Sequence, residues 1–258
     1  MATILVFIQV WAAVGVFWRS AAAVSRDRFD GEGWLAVREG RRAAFLHQEM
    51  AASERKKWKM QRALGLELPG LGKPGALDKR NYPPGQHGRL SKRKTTQFGT
   101  QLREKQKLLF HYGMREEQLR RFVRKARSLN ASNWMESLIG LLERRLDNVV
   151  FRLGFARSIA AARQLVSHGH ILVNGHRQTI DSMVLRPGEA VWLSEKAARM
   201  NAVQSSIQSP RLPLPSYLQF QNPGTPDRGI VLSVPGSEHV PFEFNTRQVA
   251  EYYAKRGV

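Results

Sequence analysis

The stretch LLERRLDNVVFRLGFARSIAAARQLVSHGHILVNG, Leu141 to Gly175, decides the fold. Leu142, Leu146, Val149, Val150 and Leu153 recur at helical spacing. They predict one long helix that opens at Asn133, with Glu136 at the capping-box position, and ends at Gly154 as its C′ residue. Ser158 is placed to cap a second helix carrying Ile159, Ala162, Leu165 and Val166, which Gly169 stops. Ile171 to Val173 then reads as a strand running into Asn174-Gly175, a strong signal for a tight hairpin turn. A further strand, Ala190 to Leu193, follows the turn at Pro187-Gly188. The unit is helix, helix, strand, tight turn, strand, and it is too small for an independent enzyme.

Polar residues on this unit form one pattern. Arg144, Arg145 and Arg152 lie on or beside the first helix, and Arg157 and Ser158 open the second. Arg163 and Gln164 face one side of it, His168 and His170 flank its end, and Asn174 and His176 sit at the turn. Arginine forks suit phosphate, while Gln, Ser, His and Asn reach phosphate, ribose hydroxyl or base edges. The helix start at Ser158 adds free N–H groups. No acid occurs from Asn148 to Ile180. Asp147 is expected to partner a neighbouring arginine rather than to act as a catalytic carboxylate.

Outward from this unit the chain stays basic. Arg89 to Arg127 holds 13 Lys/Arg against Glu104, Glu116 and Glu117, and it reads as two amphipathic helices broken at Gly113. Residues 51 to 98 read mostly as loop, punctuated by Pro69-Gly70, Pro74-Gly75, Pro83-Pro84-Gly85 and Gly88. After Ser205 come prolines, then short alternating stretches at Gly229 to Val234 and Val240 to Phe244. A terminal helix, Thr246 to Arg256, is capped near Asn245. Over the whole chain 41 Lys+Arg face 21 Asp+Glu, a net charge of +20, which calls for a polyanionic partner. Cysteine is absent, which excludes disulfides and thiolate zinc sites, and no histidine pair has HExxH spacing. Met1 to Trp18 is uncharged, yet it lacks the basic flank of a secretory signal and is short for a spanning helix. The expectation here is that translation starts at Met50 and that no membrane is a partner.

The run Leu141 to Gly175 closely resembles the RNA-binding motif of the small-subunit ribosomal S-four family, a motif also found in pseudouridine synthases and tyrosyl-tRNA synthetases. NYPPGQHG, Asn81 to Gly88, is similar to a loop of the bacterial family. FGTQLREKQKLLFHYGMREEQLRRFV, Phe98 to Val123, is similar to its first domain, and Pro215-Ser216-Tyr217 with Tyr252-Tyr253 to its closing segment. The resemblance implies an α+β fold: a mostly helical domain completed by the C-terminal segment, plus a small α/β RNA-binding domain. The corresponding division is an extension over 1–49, a basic helical domain over 50–139, the RNA-binding domain over 140–204 and the closing segment over 205–258.

It further implies a zinc-free, non-enzymatic protein without cofactor, cytoplasmic and ribosome-bound. Such a protein is a primary binder of small-subunit rRNA that nucleates the subunit body, neighbours an S-five family protein and supports translational accuracy. The candidate rRNA-binding residues are Tyr82, Gln86, His87, Arg89, Lys105, Lys107, Arg144, Arg145, Arg152, Arg157, Ser158, Arg163, Gln164, His168, His170 and Asn174. Arg89, Lys92, Arg93 and Lys94 are the candidates for contact with mRNA where it enters. Reversing charge at Arg145, Arg157 and Arg163 together is expected to abolish rRNA binding without unfolding the protein. A pseudouridine synthase with the same motif would need a catalytic domain downstream, and only Asp181 and Asp227 are available there.

Overall fold

The computed structural model describes residues 57–72, 74–75, 77–78, 80–90, 96–222 and 227–256. The expectations about Met1 to Trp18 and the Met50 start fall outside these residues, as do Lys92, Arg93 and Lys94. The first element corrects the reading of 51–98 as mostly loop: α1, Lys57–Leu64, is a helix. It ends at Gly65, which takes φ 71°, a backbone conformation that other residues adopt only with strain. Beyond it, among the described residues of the loop, there are two short 3-10 turns, Pro69–Leu71 and Gly88–Leu90.

Helices α2 (Gln97–His111) and α3 (Glu116–Leu129) follow, separated at Gly113 with φ 58°, as the sequence predicts. Thr96 caps α2 by accepting from the Gly99 N–H at 3.1 Å. The next expectation fails in an informative way. In place of one long helix there are two, α4 (Trp134–Glu143) and α5 (Leu146–Arg152), with Arg145 extended between them at φ −62° and ψ 140°. In that break the Leu185 N–H donates to the Arg144 carbonyl at 2.9 Å, and the Leu146 N–H donates to the Met183 carbonyl at 2.8 Å. Residues two apart do not face each other on a helix. Arg145 and Asp147 can close a two-pronged pair, at 3.0 and 2.8 Å, because the helix is interrupted there. Apolar periodicity carries across such a break unchanged, so the sequence pattern hides it.

Helix α6 (Ile159–Ser167) starts at Ser158, whose Oγ accepts from the Ala161 N–H at 3.2 Å, and it stops at Gly169 with φ 69°. Strands β1 (Ile171–Val173) and β2 (His176–Gln178) form the hairpin, and Asn174 and Gly175 both take the positive φ that its turn demands, 48° and 85°. Strand β3 (Ala190–Leu193) precedes the short helices α7 (Glu195–Ala198) and α8 (Asn201–Gln208). The closing segment supplies β4 (Leu218–Phe220), β5 (Arg228–Val231) and α9 (Thr246–Ala254). Asn245 caps α9 through the Gln248 N–H at 3.2 Å. Val240 to Phe244, the second of the alternating stretches, is irregular chain.

All five strands join one antiparallel sheet in the order β2-β1-β3-β5-β4. The fold is thus α+β. The closing segment divides its packing: β5 extends the sheet from β3, while α9 lies along α2. Gly229 lets β5 pass over Leu153, because a Cβ there would stand 2.3 Å from the leucine side chain. The core is continuous from Leu108, Leu119 and Val123 of the helical part, through Leu138, Leu142 and Leu146, to Ile159, Val166, Ile171 and Val191 around the sheet.

Candidate nucleic-acid interface

The arginines singled out from the sequence divide sharply once their surroundings are seen. Arg145 is 1% exposed and clasps Asp147, which is equally buried. Arg163 reaches the same carboxylate at 2.8 Å, and with its two terminal nitrogens it donates to the Gly113 and Tyr112 carbonyls at 2.6 Å each. Asp181 lies against both guanidinium groups, at 3.6 and 3.2 Å. Burial by itself would raise the pKa of Asp147, but the charges of Arg145 and Arg163 overcome it and hold the carboxyl below its ordinary value. Asp147 is therefore an arginine partner, as the sequence suggests, and the cluster joins α6 to the turn between α2 and α3.

A second buried carboxylate binds four elements. Glu143, fully buried, accepts from the Tyr112 and Tyr217 hydroxyls and from the Asn148 side-chain amide, the last two at 2.8 and 2.9 Å. Arg152 approaches it at 3.5 Å and also donates to the His239 carbonyl. Burial, followed by the Glu143 charge, pushes both tyrosine hydroxyls well above their ordinary pKa. Arg152 and Arg144 thus have structural partners, with Arg144 donating to the Gly140 and Leu185 carbonyls at 2.9 and 3.2 Å. Lys105 is buried on Glu116 at 2.6 Å and over the Tyr252 ring at 5.0 Å. Lys107 is engaged by Glu104 at 2.7 Å and by the Glu243 carbonyl at 3.2 Å. A reading of charge along the sequence does not separate most of these clamps from free cations, because Arg163, Arg152 and Lys105 close on partners supplied elsewhere in the chain. Arg145 and Lys107, by contrast, also find a carboxylate two or three residues away.

The remaining candidates face outward. Arg157 is exposed beside the start of α6 and donates to the Ser205 carbonyl at 3.3 Å. Gln164, His168 and Asn174 are exposed, and His170 is half-buried with its ring 6.1 Å from that of His168. Burial first, then the neighbouring His168, Lys196 and Arg177, lowers the His170 pKa and favours its neutral form. Asn174 also holds the turn, its side-chain oxygen accepting from the Ala190 N–H at 2.9 Å. Ser158 is spent on its cap. In the Pro83-Pro84 loop, Gln86, His87 and Arg89 are exposed while Gly88 is buried, with no room for a Cβ beside the Pro83 carbonyl. Tyr82 is half-buried under the Arg62 guanidinium at 4.8 Å, and Arg62 also donates to the Tyr82 carbonyl at 3.1 Å.

Arg62, Arg177 and Lys196 are not among the candidates named from the sequence, and Arg121 and Lys125 enter there only as members of the basic run Arg89 to Arg127. Arg177 had a usable signal, since it lies two residues after Gly175 of the Asn-Gly turn, on a solvated strand.

These exposed groups are carried on the caps and tight hairpin of a small α/β module, the class of unit that RNA-binding proteins present to a polyanion. A family model described as "S4 domain" matches residues 144–191, and another described as "Ribosomal protein S4/S9 N-terminal domain" matches residues 53–143. Small ribosomal subunit protein uS4B of Bdellovibrio bacteriovorus is 52% identical over 201 residues, covering 78% of this chain and 96% of that protein. The uS4 proteins of Methylobacillus flagellatus and Acaryochloris marina are 44% and 46% identical, over 77% and 76% of this chain and 95% and 94% of theirs. The chain belongs to the S4 family of small ribosomal subunit proteins, structural constituents of the ribosome rather than enzymes. No helix among the described residues is long and apolar enough to cross a membrane.

Proposed function

We propose that the protein is a primary binder of small-subunit rRNA, gripping a multi-helix junction and nucleating assembly of the subunit body. The observation that carries this reading is the outward set on the α6 and hairpin side: Arg157, Gln164, His168, Asn174 and Arg177 are all exposed. Arg144, Arg145, Arg152 and Arg163 act as a frame for the module, while Lys105 and Lys107 brace the helical part through Glu116, Glu104 and the Glu243 carbonyl. His87, Gln86 and Arg89 extend the contact from the proline loop. Arg89, with Lys92, Arg93 and Lys94, is proposed to meet mRNA where it enters, and an S-five family protein is the proposed protein neighbour, which is how translational accuracy would be influenced.

The test is binding of the full chain to a small-subunit rRNA fragment containing the junction. Arg157→Glu with Arg177→Glu should weaken it by about a hundredfold, two charge-assisted contacts being lost. Unchanged affinity in the folded double variant would place the interface elsewhere.

A further inference from the structure

A cleft of about 400 Å³ opens where the two family segments meet, lined by Gln118, Arg121, Phe122 and Lys125 from α3 and by Arg145, Ser182 and Val184 from the module. The four α3 residues are spaced at i, i+3, i+4 and i+7, so a single stripe of that helix forms one wall. The lining contains three cations and two hydrogen-bonding side chains, and no carboxylate. Asp181, next to Ser182, is already directed at Arg145 and Arg163. Arg121 and Lys125 are exposed at the rim.

The second observation comes from Arg145. Its Nε and one terminal nitrogen are used by Asp147, while the other, Nη1, is buried without a hydrogen-bond partner. A charged donor left unpaired inside a protein is costly, and native structures supply a partner. The guanidinium cannot swing away to find one. Asp147 grips it from one side, and the Phe122 ring lies 5.4 Å beneath it. The fork is held in place, with one buried nitrogen left unpaired.

We propose that this cleft is a seat for a single phosphate group of the bound rRNA, with Arg145 at its base and Arg121 and Lys125 at its rim. Gln118 and Ser182 supply neutral donors. The proposal rests on the rRNA-binding reading above. Seated there, the phosphate bridges α3 to the module through the buried Arg145–Asp147 pair, so the relative placement of the two segments becomes part of RNA recognition.

Two measurements on the full chain test it. Inorganic phosphate, titrated without RNA, should shift the guanidinium nitrogen resonances of Arg145 in the native protein and leave them unmoved in Arg121→Gln/Lys125→Gln. With the junction rRNA fragment, that double variant should bind about tenfold more weakly. Its log-affinity against log-salt line should be shallower by roughly 0.7–0.9, the contribution of one phosphate. Native affinity and slope in the folded variant would overturn the seat while leaving rRNA binding intact. Failure of the native protein to bind the fragment would instead overturn the rRNA reading, and the phosphate titration would still decide whether the cleft holds an anion.

Discussion

Asp147 shows how much of the architecture rests on single carboxylates. It is 1% exposed, receives two guanidinium groups, and keeps its charge because they surround it. Asp147→Asn removes the charge but not the volume, leaving buried Arg145 with only the more distant Asp181, at 3.6 Å, as counterion. Breaking a buried pair from one side costs about 3–5 kcal/mol, so urea unfolding should show a loss of that size. His111 makes the converse case. It is buried, accepts from the Gly70 N–H at 3.4 Å and packs on Phe242, and burial together with the Arg152 charge lowers its pKa to about 3. The unfolded chain takes up a proton near pH 6.5 and the folded one does not, so stability must fall as pH drops below 6.5. Between pH 7 and 5 the loss should be about 2 kcal/mol relative to His111→Gln, which has no such proton to take up. A parallel pH dependence in the two proteins would show that His111 protonates within the fold.

At the scale of elements, the hairpin turn invites the most direct perturbation. Gly175 has φ 85° and open space about it, with the Trp192 ring 3.8 Å from a built Cβ. Gly175→Ala therefore introduces backbone strain without a clash and should cost about 1–2 kcal/mol. Amide exchange should locate that loss in β1 and β2. Strand β1, the turn after it, the Ser158 and Asn245 caps and the Gly113 break are all legible in the sequence, because each is set by residues within a few positions of one another; β2 is implied only by the turn and is not named there. What the sequence conceals is non-local. The interruption at Arg145 depends on Met183 and Leu185, some forty residues on, and the sheet is completed by β5, whose pairing with β3 spans a similar distance. The division of the arginines into clamps and outward groups is hidden for the same reason. Arg163 and Arg157 look alike along the chain, and only the three-dimensional position of Asp147 and of the α2–α3 turn sets them apart.

For the whole molecule, this division replaces the expectation that reversing Arg145, Arg157 and Arg163 together would spare the fold. Two of the three belong to the buried Asp147 cluster, so their reversal would set like charges together in the interior. The remaining charge points to a behaviour that separates folding from binding. A net charge of +20 repels itself across the free protein, and salt screens that repulsion, with a Debye length of about 10 Å at 0.1 M and 3 Å at 1 M. The buried clamps are screened much less. Raising KCl should therefore increase the unfolding midpoint of the free protein in urea. The same salt should weaken rRNA binding, by roughly 10³-fold or more between 50 and 200 mM if six or more phosphates are neutralised. Opposed salt dependences are what a surface cationic excess over a neutralised interior requires. If added salt lowered the stability of the free protein as well, surface ion pairs would be supporting the fold, and the outward arginines, which touch the Ser205 and His168 carbonyls, would have carboxylate partners in the protein before RNA arrives.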